Sequence, residues 1–277
     1  MITGHTTVIA HIGYPTHSFK SPVIYNPWFE AKGVDAVVVP MGVKAEEFEA
    51  FLPLVTRMSN FGGALITMPH KVTTMALVDE STPTAKIAGA ANAVKVDADG
   101  RLLGDQFDGM GFVNGALTKG CRFEGRSALV VGSGGVGSAI AASIAGTGVA
   151  RLGVFDARQE SAQGLAARIT EHYPGMDVAS DSNDPAGYDI VVNATPMGME
   201  PGDPMPVDTD RIERGAFVGE VVMKQAITPF LQAALDRGCT VQVGTDMLFA
   251  QIPSYLSYFG LGETTAEELR SLAKLPG

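Results

Sequence analysis

The stretch Val130–Ile140, Val-Val-Gly-Ser-Gly-Gly-Val-Gly-Ser-Ala-Ile, restricts the fold of this chain more than any other. Gly132, Gly134 and Gly137 follow the apolar run from Ala128 to Val131 and open a segment of small residues, the pattern of a strand turning sharply into a helix. Each glycine has its own physical task. The first permits the tight turn, the second lets backbone approach a pyrophosphate, and the third lets the helix lie close against the strand. Amides of the first helical turn then attract phosphate. Asp156 ends the next apolar run, Leu152 to Phe155, 19 residues beyond Gly137. That is near the ~20 residues at which an acid accepts hydrogen bonds from ribose hydroxyls.

Two plainer readings compete. Ser127 to Ala150 is 24 residues without a charge, long enough for a membrane span, but its six glycines and four serines make it too polar and flexible for one. A glycine-rich turn that only packs is the other, and Asp156 at the fitting distance argues against it.

With 277 residues, the chain can build one large or two ordinary domains. Its net charge of -10 and lack of a basic cluster argue against nucleic acid or an anionic membrane as partner, leaving a small molecule. Cys121 and Cys239 stand 118 positions apart, without metal-ligand spacing or a disulfide framework, and read as buried thiols. His5, His11, His17, His70 and His172 form no zinc-type pair, so no metal site is expected. The start carries no secretion-signal pattern, and the cytoplasm is the expected location.

Before the glycine segment, Thr6–Ile12 reads as a strand and a helix is expected from about Ser21, with Ser21 as N-cap and Pro22 first inside it. A strand over Val34–Val39, a helix over Glu46–Met58 disturbed by Pro53, and a strand over Gly62–Met68 ended by Pro69 follow. Ala93–Val96 and Leu102–Leu103 flank the turn Asp97-Ala-Asp-Gly100 as a hairpin. After it, strands near Leu152–Phe155, Asp189–Asn193, Ala216–Val221 and Thr240–Val243 alternate with helices over Ser161–Tyr173 and Pro229–Arg237, and Asp246–Tyr258 and Thr264–Lys274 close the chain as helices. The expectation is therefore α/β, with two α/β domains: 1–108, 109–243 as a doubly wound parallel sheet for the dinucleotide, and 244–277 as helices.

Oxidising an alcohol removes a hydride and a proton, so a nicotinamide needs a proton acceptor beside it. Ionisable residues at strand ends, not on helix surfaces, are few in the first domain: Lys71, Asp105 and Asp108. Lysine suits proton exchange when partly buried, and Asp108 could serve instead as an N-cap.

At this point the residues resemble a family. Ser21-Pro22, Thr67-x-Pro69-x-Lys71, Gly89-Ala-Ala-Asn92, Gly104-Asp105-x-x-Asp108-Gly109, the Gly132 loop, Asn193-Ala-Thr195, Thr228-Pro-Phe-Leu231 and Met247-Leu-x-Ala-Gln251 together look like the shikimate and quinate dehydrogenases, over nearly the whole chain and in the family's order. The resemblance implies a substrate domain followed by a Rossmann domain, with the C-terminal helices returning to the first, and reversible oxidation of a ring hydroxyl of a cyclic polyol acid by a nicotinamide dinucleotide. It makes Lys71 and Asp108 the catalytic pair. It gives Ser18, Ser21, Thr67, Asn92 and Gln251 to the substrate. Cofactor contacts fall to Gly132, Gly134, Gly135, Val136, Gly137, Asp156, Arg158, Asn193, Thr195 and Gly244, and the expected assembly is a monomer or homodimer.

Four positions depart from the family pattern. Phe19 stands where a serine is usual, with Ser18 beside it; Leu65 replaces an asparagine, Phe107 a threonine, and Met223 a tyrosine. Each lost hydrogen-bond partner costs roughly 1–3 kcal/mol, so the substrate is left open. Asp156-Ala-Arg158 replaces the Asn-Arg-Thr of family members that use the phosphorylated cofactor. A carboxylate there repels a 2′-phosphate and favours NAD, while Arg158 keeps NADP possible. Two alternatives stay open: a relative acting on an amino- or otherwise modified ring acid, and a non-catalytic dinucleotide-binding regulator.

Overall fold

The computed structural model of the chain describes residues 2–275, which form two compact units. One comprises the residues up to Phe107 with those from Ile252 onward; the other is Asp108–Gln251.

The first unit runs β1 (Thr7–Gly13), α1 (Ser21–Lys32), β2 (Ala36–Gly42), α2 (Ala45–Val55), β3 (Phe61–Ile66), α3 (Lys71–Thr74), β4 (Glu80–Ser81), α4 (Pro83–Ala88), β5 (Ala93–Val96) and β6 (Leu102–Asp105). The six strands lie in the order β2-β1-β3-β5-β6-β4. β1 is parallel to β2 and β3, while β5 runs antiparallel to β3 and β6, so this sheet is mixed. Alternation along the strands divides it into two faces. Ala10, Ile12, Ala64 and Ile66 join Phe48, Leu52 and Val55 of α2 in one core. His11 and Leu65, Cα partners across β1 and β3, fall on the other face.

Several expectations shift by a few residues. The N-cap of α1 is Lys20, not Ser21, and Ser21 lies inside the first turn ahead of Pro22. Proline is tolerated there because the amide it lacks would have no helical partner anyway. β2 continues through Pro40 to Gly42, which its edge position permits. The hairpin β5–β6 forms as read, with Asp97 Oδ1 accepting from the amides of Asp99 and Arg101, both at 2.9 Å.

The second unit continues with α5 (Asp108–Thr118), β7 (Ser127–Val131), α6 (Gly135–Ala145), β8 (Arg151–Phe155), α7 (Gln159–His172), β9 (Asp177–Ala179), β10 (Ile190–Asn193), β11 (Phe217–Glu220), α8 (Pro229–Asp236), β12 (Thr240–Gln242) and the start of α9 (Gly244–Tyr258). All its strands are parallel, in the order β12-β11-β10-β7-β8-β9. Connections leave β7 in one direction through β8 and β9 and return beside it at β10. The order therefore reverses at the carboxyl ends of β7 and β10, the place where such sheets bind ligands. β9 is a three-residue edge strand that the sequence pattern does not announce.

α9 begins in the second unit and ends in the first, and α10 (Ala266–Leu272) follows it in the first. The division falls between Gln251 and Ile252, not before residue 244. Packing explains it: a Cβ on Gly111 of α5 would stand 2.6 Å from Gln251 Cβ and 2.8 Å from the Met247 carbonyl oxygen. Further along α9, Tyr258 Oη donates to the Leu103 carbonyl at 2.9 Å.

Candidate active site

In the first unit the candidate residues collect at the carboxyl ends of β1 and β3. The Thr67 amide donates to the Ile12 carbonyl at 2.9 Å and the Tyr14 amide to the Met68 carbonyl at 2.9 Å, so the two strand-end loops are stitched together. The peptides Tyr14–Pro15 and Met68–Pro69 are both cis. Thr67 accepts from the His70 amide through its carbonyl at 3.0 Å, a turn that sets Lys71, half-buried, as the first residue of α3. Asn92 is brought in from the other side of the sheet. The Ile66 amide donates to its carbonyl at 2.8 Å, and the neighbouring Ala91 amide donates to the Lys71 carbonyl at 2.9 Å. Buried Asn92 accepts the Phe107 amide on Oδ1 at 2.9 Å, while its Nδ2 has no protein partner. Thr67, Lys71 and Asn92 thus share one neighbourhood, fixed by backbone pairing. Ser18, at the end of a short 3-10 turn, is exposed, and Ser21 is half-buried in α1.

Two histidines of this unit were not among the candidates from sequence. His70 is buried, stacks on Phe48 with ring centroids 4.0 Å apart, and its Nε2 lies 2.7 Å from the Val43 carbonyl oxygen, the pairing of a structural residue. His11 is also buried and stacks on Phe19 at 4.0 Å, but its Nδ1 has no partner.

In the second unit, the Gly132 amide donates to the Phe155 carbonyl at 2.7 Å, anchoring the turn to β8. Gly132 has φ of +104°, open only to glycine without strain. A Cβ on Gly137 would overlap the Gly132 carbonyl oxygen, so the helix lies against the turn as closely as backbone allows. Gly134 is the N-cap of α6 and offers no side-chain cap; a Cβ on Gly134 or Gly135 would meet nothing within 4 Å. The first-turn amides, Gly135 to Gly137, lack helical partners by position, and the space beside Gly134 and Gly135 is open, which suits a pyrophosphate. Asp156 Oδ2 accepts from the Ser133 amide at 2.8 Å and hydroxyl at 3.0 Å, and Oδ1 from the Arg158 amide at 2.9 Å. Burial opposes its charge, but these donors and the Arg158 guanidinium hold the carboxyl below its usual range. Asp156 therefore organises the glycine loop in addition to any ribose contact.

On the adjoining strand end, Asn193 Nδ2 donates to the Met197 carbonyl at 2.8 Å, and its Oδ1 accepts from Thr195 Oγ1 at 2.6 Å. Both residues shape the loop after β10. Glu220, the Cα partner of Asn193 on β11, is fully buried. Its Oε2 accepts from Thr228 Oγ1 at 3.0 Å and its Oε1 has no partner. Burial outweighs the Thr228 hydrogen bond and raises the carboxyl to about 7. Gly244 is buried where a side chain would overlap the Val222 carbonyl. Asp108, 6 % exposed, starts α5, and Gln251 is buried on α9 with Oε1 unpartnered.

The departures are explained unevenly. Phe107 is buried edge-on against Tyr255 and Tyr258, with centroids 4.8 and 5.4 Å away, so it serves an aromatic core with α9. Leu65 is likewise buried, whereas Met223 is 41 % exposed. No group of three or more His, Cys, Asp or Glu able to hold a metal occurs among the described residues. None of their helices is long and apolar enough to cross a membrane.

A glycine turn at the switch point of an all-parallel sheet, in one chain with a mixed sheet bearing lysine, threonine and asparagine at its strand ends, defines a two-unit dinucleotide-dependent oxidoreductase of the α/β class. Residues 11–94 match the shikimate dehydrogenase substrate binding domain. The shikimate dehydrogenase (NADP(+)) of Rubrobacter xylanophilus is 36 % identical over 257 residues, spanning 90 % of this chain and 89 % of the relative. The chain belongs to the shikimate dehydrogenase family. Among solved structures it is similar to shikimate 5-dehydrogenase from Listeria monocytogenes in complex with shikimate and NAD, with TM-score 0.90, 26 % identity, and 98 % and 97 % of the two chains covered. Quinate dehydrogenase from Corynebacterium glutamicum in complex with NAD has TM-score 0.86 and 28 % identity, with 96 % and 98 % covered.

Proposed function

We propose that the chain reversibly oxidises a ring hydroxyl of shikimate, quinate or a related cyclic polyol acid, with Lys71 and Asp108 as the catalytic pair. The observation that carries this reading is the placing of half-buried Lys71 beside Thr67 and Asn92 by strand pairing, in a chain aligned with a shikimate dehydrogenase over nine-tenths of its length. A nicotinamide dinucleotide supplies the hydride acceptor. The hydroxyl's proton leaves to Lys71 Nζ and returns from it in the reverse direction, with Asp108 as the carboxylate partner. Thr67, Asn92, Gln251, Ser18 and Ser21 hydrogen-bond the remaining hydroxyls and the carboxylate. The unpartnered, buried Asn92 Nδ2 suits a polyol that supplies the missing partner.

The pyrophosphate belongs to the amides at Gly134–Gly137, with Gly132, Asn193, Thr195 and Gly244 shaping the surrounding strand ends. We assign NAD as the preferred cofactor, because Asp156, a carboxylate held ionised directly after β8, stands at the sequence position where an acid would accept from the ribose hydroxyls in this fold and would repel a 2′-phosphate. NADP use is supported by the exposed Arg158 and by the Rubrobacter relative. A second substrate reading, an amino- or otherwise modified ring acid, draws on apolar Phe19, Leu65 and Met223 at positions where the family carries polar groups.

Reduction of NAD and of NADP followed with shikimate and quinate tests the proposal. Wild-type protein is expected to turn over at least one pair, and Lys71→Ala to lose about 10²–10⁴-fold in kcat. No turnover with any related ring acid, or an undiminished mutant, overturns it.

A further inference from the structure

We infer that His11 is a specificity-determining residue of this site, its imidazole edge hydrogen-bonding one neutral ring hydroxyl of the substrate. The inference rests on the ring-acid reading above. His11 lies next to the carboxyl end of β1, two residues before Gly13, and a Cβ on Gly13 would stand 2.8 Å from the Met68 carbonyl oxygen and 2.9 Å from Phe19 Cζ. Its Cα partner on β3 is Leu65, two residues before Thr67, so His11 and the residues leading to Lys71 share one face of the sheet.

His11 and His70 define the argument by contrast. Both are buried and both stack on a phenylalanine with centroids 4.0 Å apart. His70 pairs its Nε2 with the Val43 carbonyl, as a structural histidine does; His11 leaves Nδ1 without a partner at 7 % exposure. A buried polar nitrogen without a partner costs on the order of 1–3 kcal/mol in the free protein, and native interiors seldom keep one without a use. Neither flanking residue can relieve it, since Phe19 covers a ring face and Leu65 is apolar. The stack leaves the ring edge, where both nitrogens lie, as the direction for a hydrogen bond.

Electrostatics selects the kind of ligand group. Burial, and after it the charge of Lys71, push the imidazolium down to about 3, so His11 is neutral near pH 7. A neutral imidazole offers one N–H and one lone pair, and a hydroxyl can meet either. It brings no charge to a carboxylate, which Ser18, Ser21 and Thr67 are left to hold. The near presence of Lys71 places the recognised hydroxyl near the reacting carbon.

The test uses the full chain in three forms: wild type, His11→Leu, which removes the polar edge at similar volume, and His11→Asn, whose amide keeps a polar atom near the Nδ1 position. KM and kcat are measured for the ring acid that wild type turns over and for analogues each lacking one hydroxyl, with Tm recorded. The expected result is a KM about tenfold higher in His11→Leu, with the KM for the dinucleotide and the Tm maintained or raised, and partial recovery in His11→Asn. The loss should vanish for the one analogue that lacks the recognised hydroxyl. An unchanged KM, or an equal loss on every analogue with a lowered Tm, overturns the inference while leaving the ring-acid reading intact. Wild type that neither turns over nor is thermally stabilised by any ring acid removes both.

Discussion

The two units prepare for a ligand with different materials. In the second, the surface offered to the cofactor is backbone: a turn at Gly132 with φ of +104°, a helix start at Gly134, and close approaches at Gly137 and Gly244 that exclude any side chain. In the first, the surface proposed for the substrate is made of side chains at strand ends: His11, Thr67, Lys71 and Asn92. A site made of backbone is closed to side chains at Gly132, Gly137 and Gly244 and says little about which molecule carries the phosphate. A site made of side chains can change one position at a time, and on the function proposed above Phe19 and Leu65, both in the first unit, are changes of that kind.

If this contrast holds, Gly137→Ala should be among the most damaging single changes. Its methyl would overlap the Gly132 carbonyl oxygen and come within 3.1 Å of Ala194 Cβ, and backbone cannot yield as a side chain can. Overpacking of this sort costs about 3 kcal/mol, expected as a roughly 100-fold weaker dinucleotide affinity by calorimetry and a lower Tm. Native affinity in this variant would break the distinction between the units.

The same contrast separates what the sequence discloses from what it hides. The glycine loop is legible because its constraints are local: strand, turn and helix start lie within a dozen residues. Lys71, Asp105 and Asp108 stand out in the sequence as ionisable residues at strand and helix boundaries, and only the family resemblance singles out Lys71 and Asp108 among them. His11 and Glu220 look like ordinary strand residues, since only the three-dimensional neighbourhood leaves a nitrogen or an oxygen unpaired. Phe107 reads as a lost recognition group until Tyr255 and Tyr258, about 150 residues away in the chain, are found packed against it. The division within α9 is hidden for the same reason, because a helical pattern that runs on through Pro253 does not disclose that its first turns pack on α5.

Asp156 is where the backbone site borrows a side chain, and it sharpens the comparison. Asp156→Asn retains an acceptor for the Ser133 amide and hydroxyl while giving up the one for the Arg158 amide, and it removes the charge that would repel a 2′-phosphate. The ratio of kcat/KM for NADP over NAD is expected to rise about tenfold, the equivalent of ~1.4 kcal/mol of relieved repulsion. An unchanged ratio would mean that cofactor choice lies with Arg158 or elsewhere.

The smallest effect concerns Glu220, a side chain enclosed within the backbone-built unit. Its folded carboxyl is raised from 4.5 to about 7, so the folded state holds a proton that the unfolded chain releases at lower pH. The resulting stabilisation is complete below about 4.5 and is lost as pH rises through about 7. Between pH 6 and pH 8 wild-type protein should lose about 1 kcal/mol from this group, or roughly 2–4 °C in Tm. Glu220→Gln keeps an oxygen to accept from Thr228 but cannot ionise, so its Tm should be flatter over that interval, and the two melting curves should diverge most at the alkaline end. Parallel Tm profiles would show that Glu220 titrates in the folded protein as it does in the unfolded chain, and that this buried acid finds compensation from the backbone around β11.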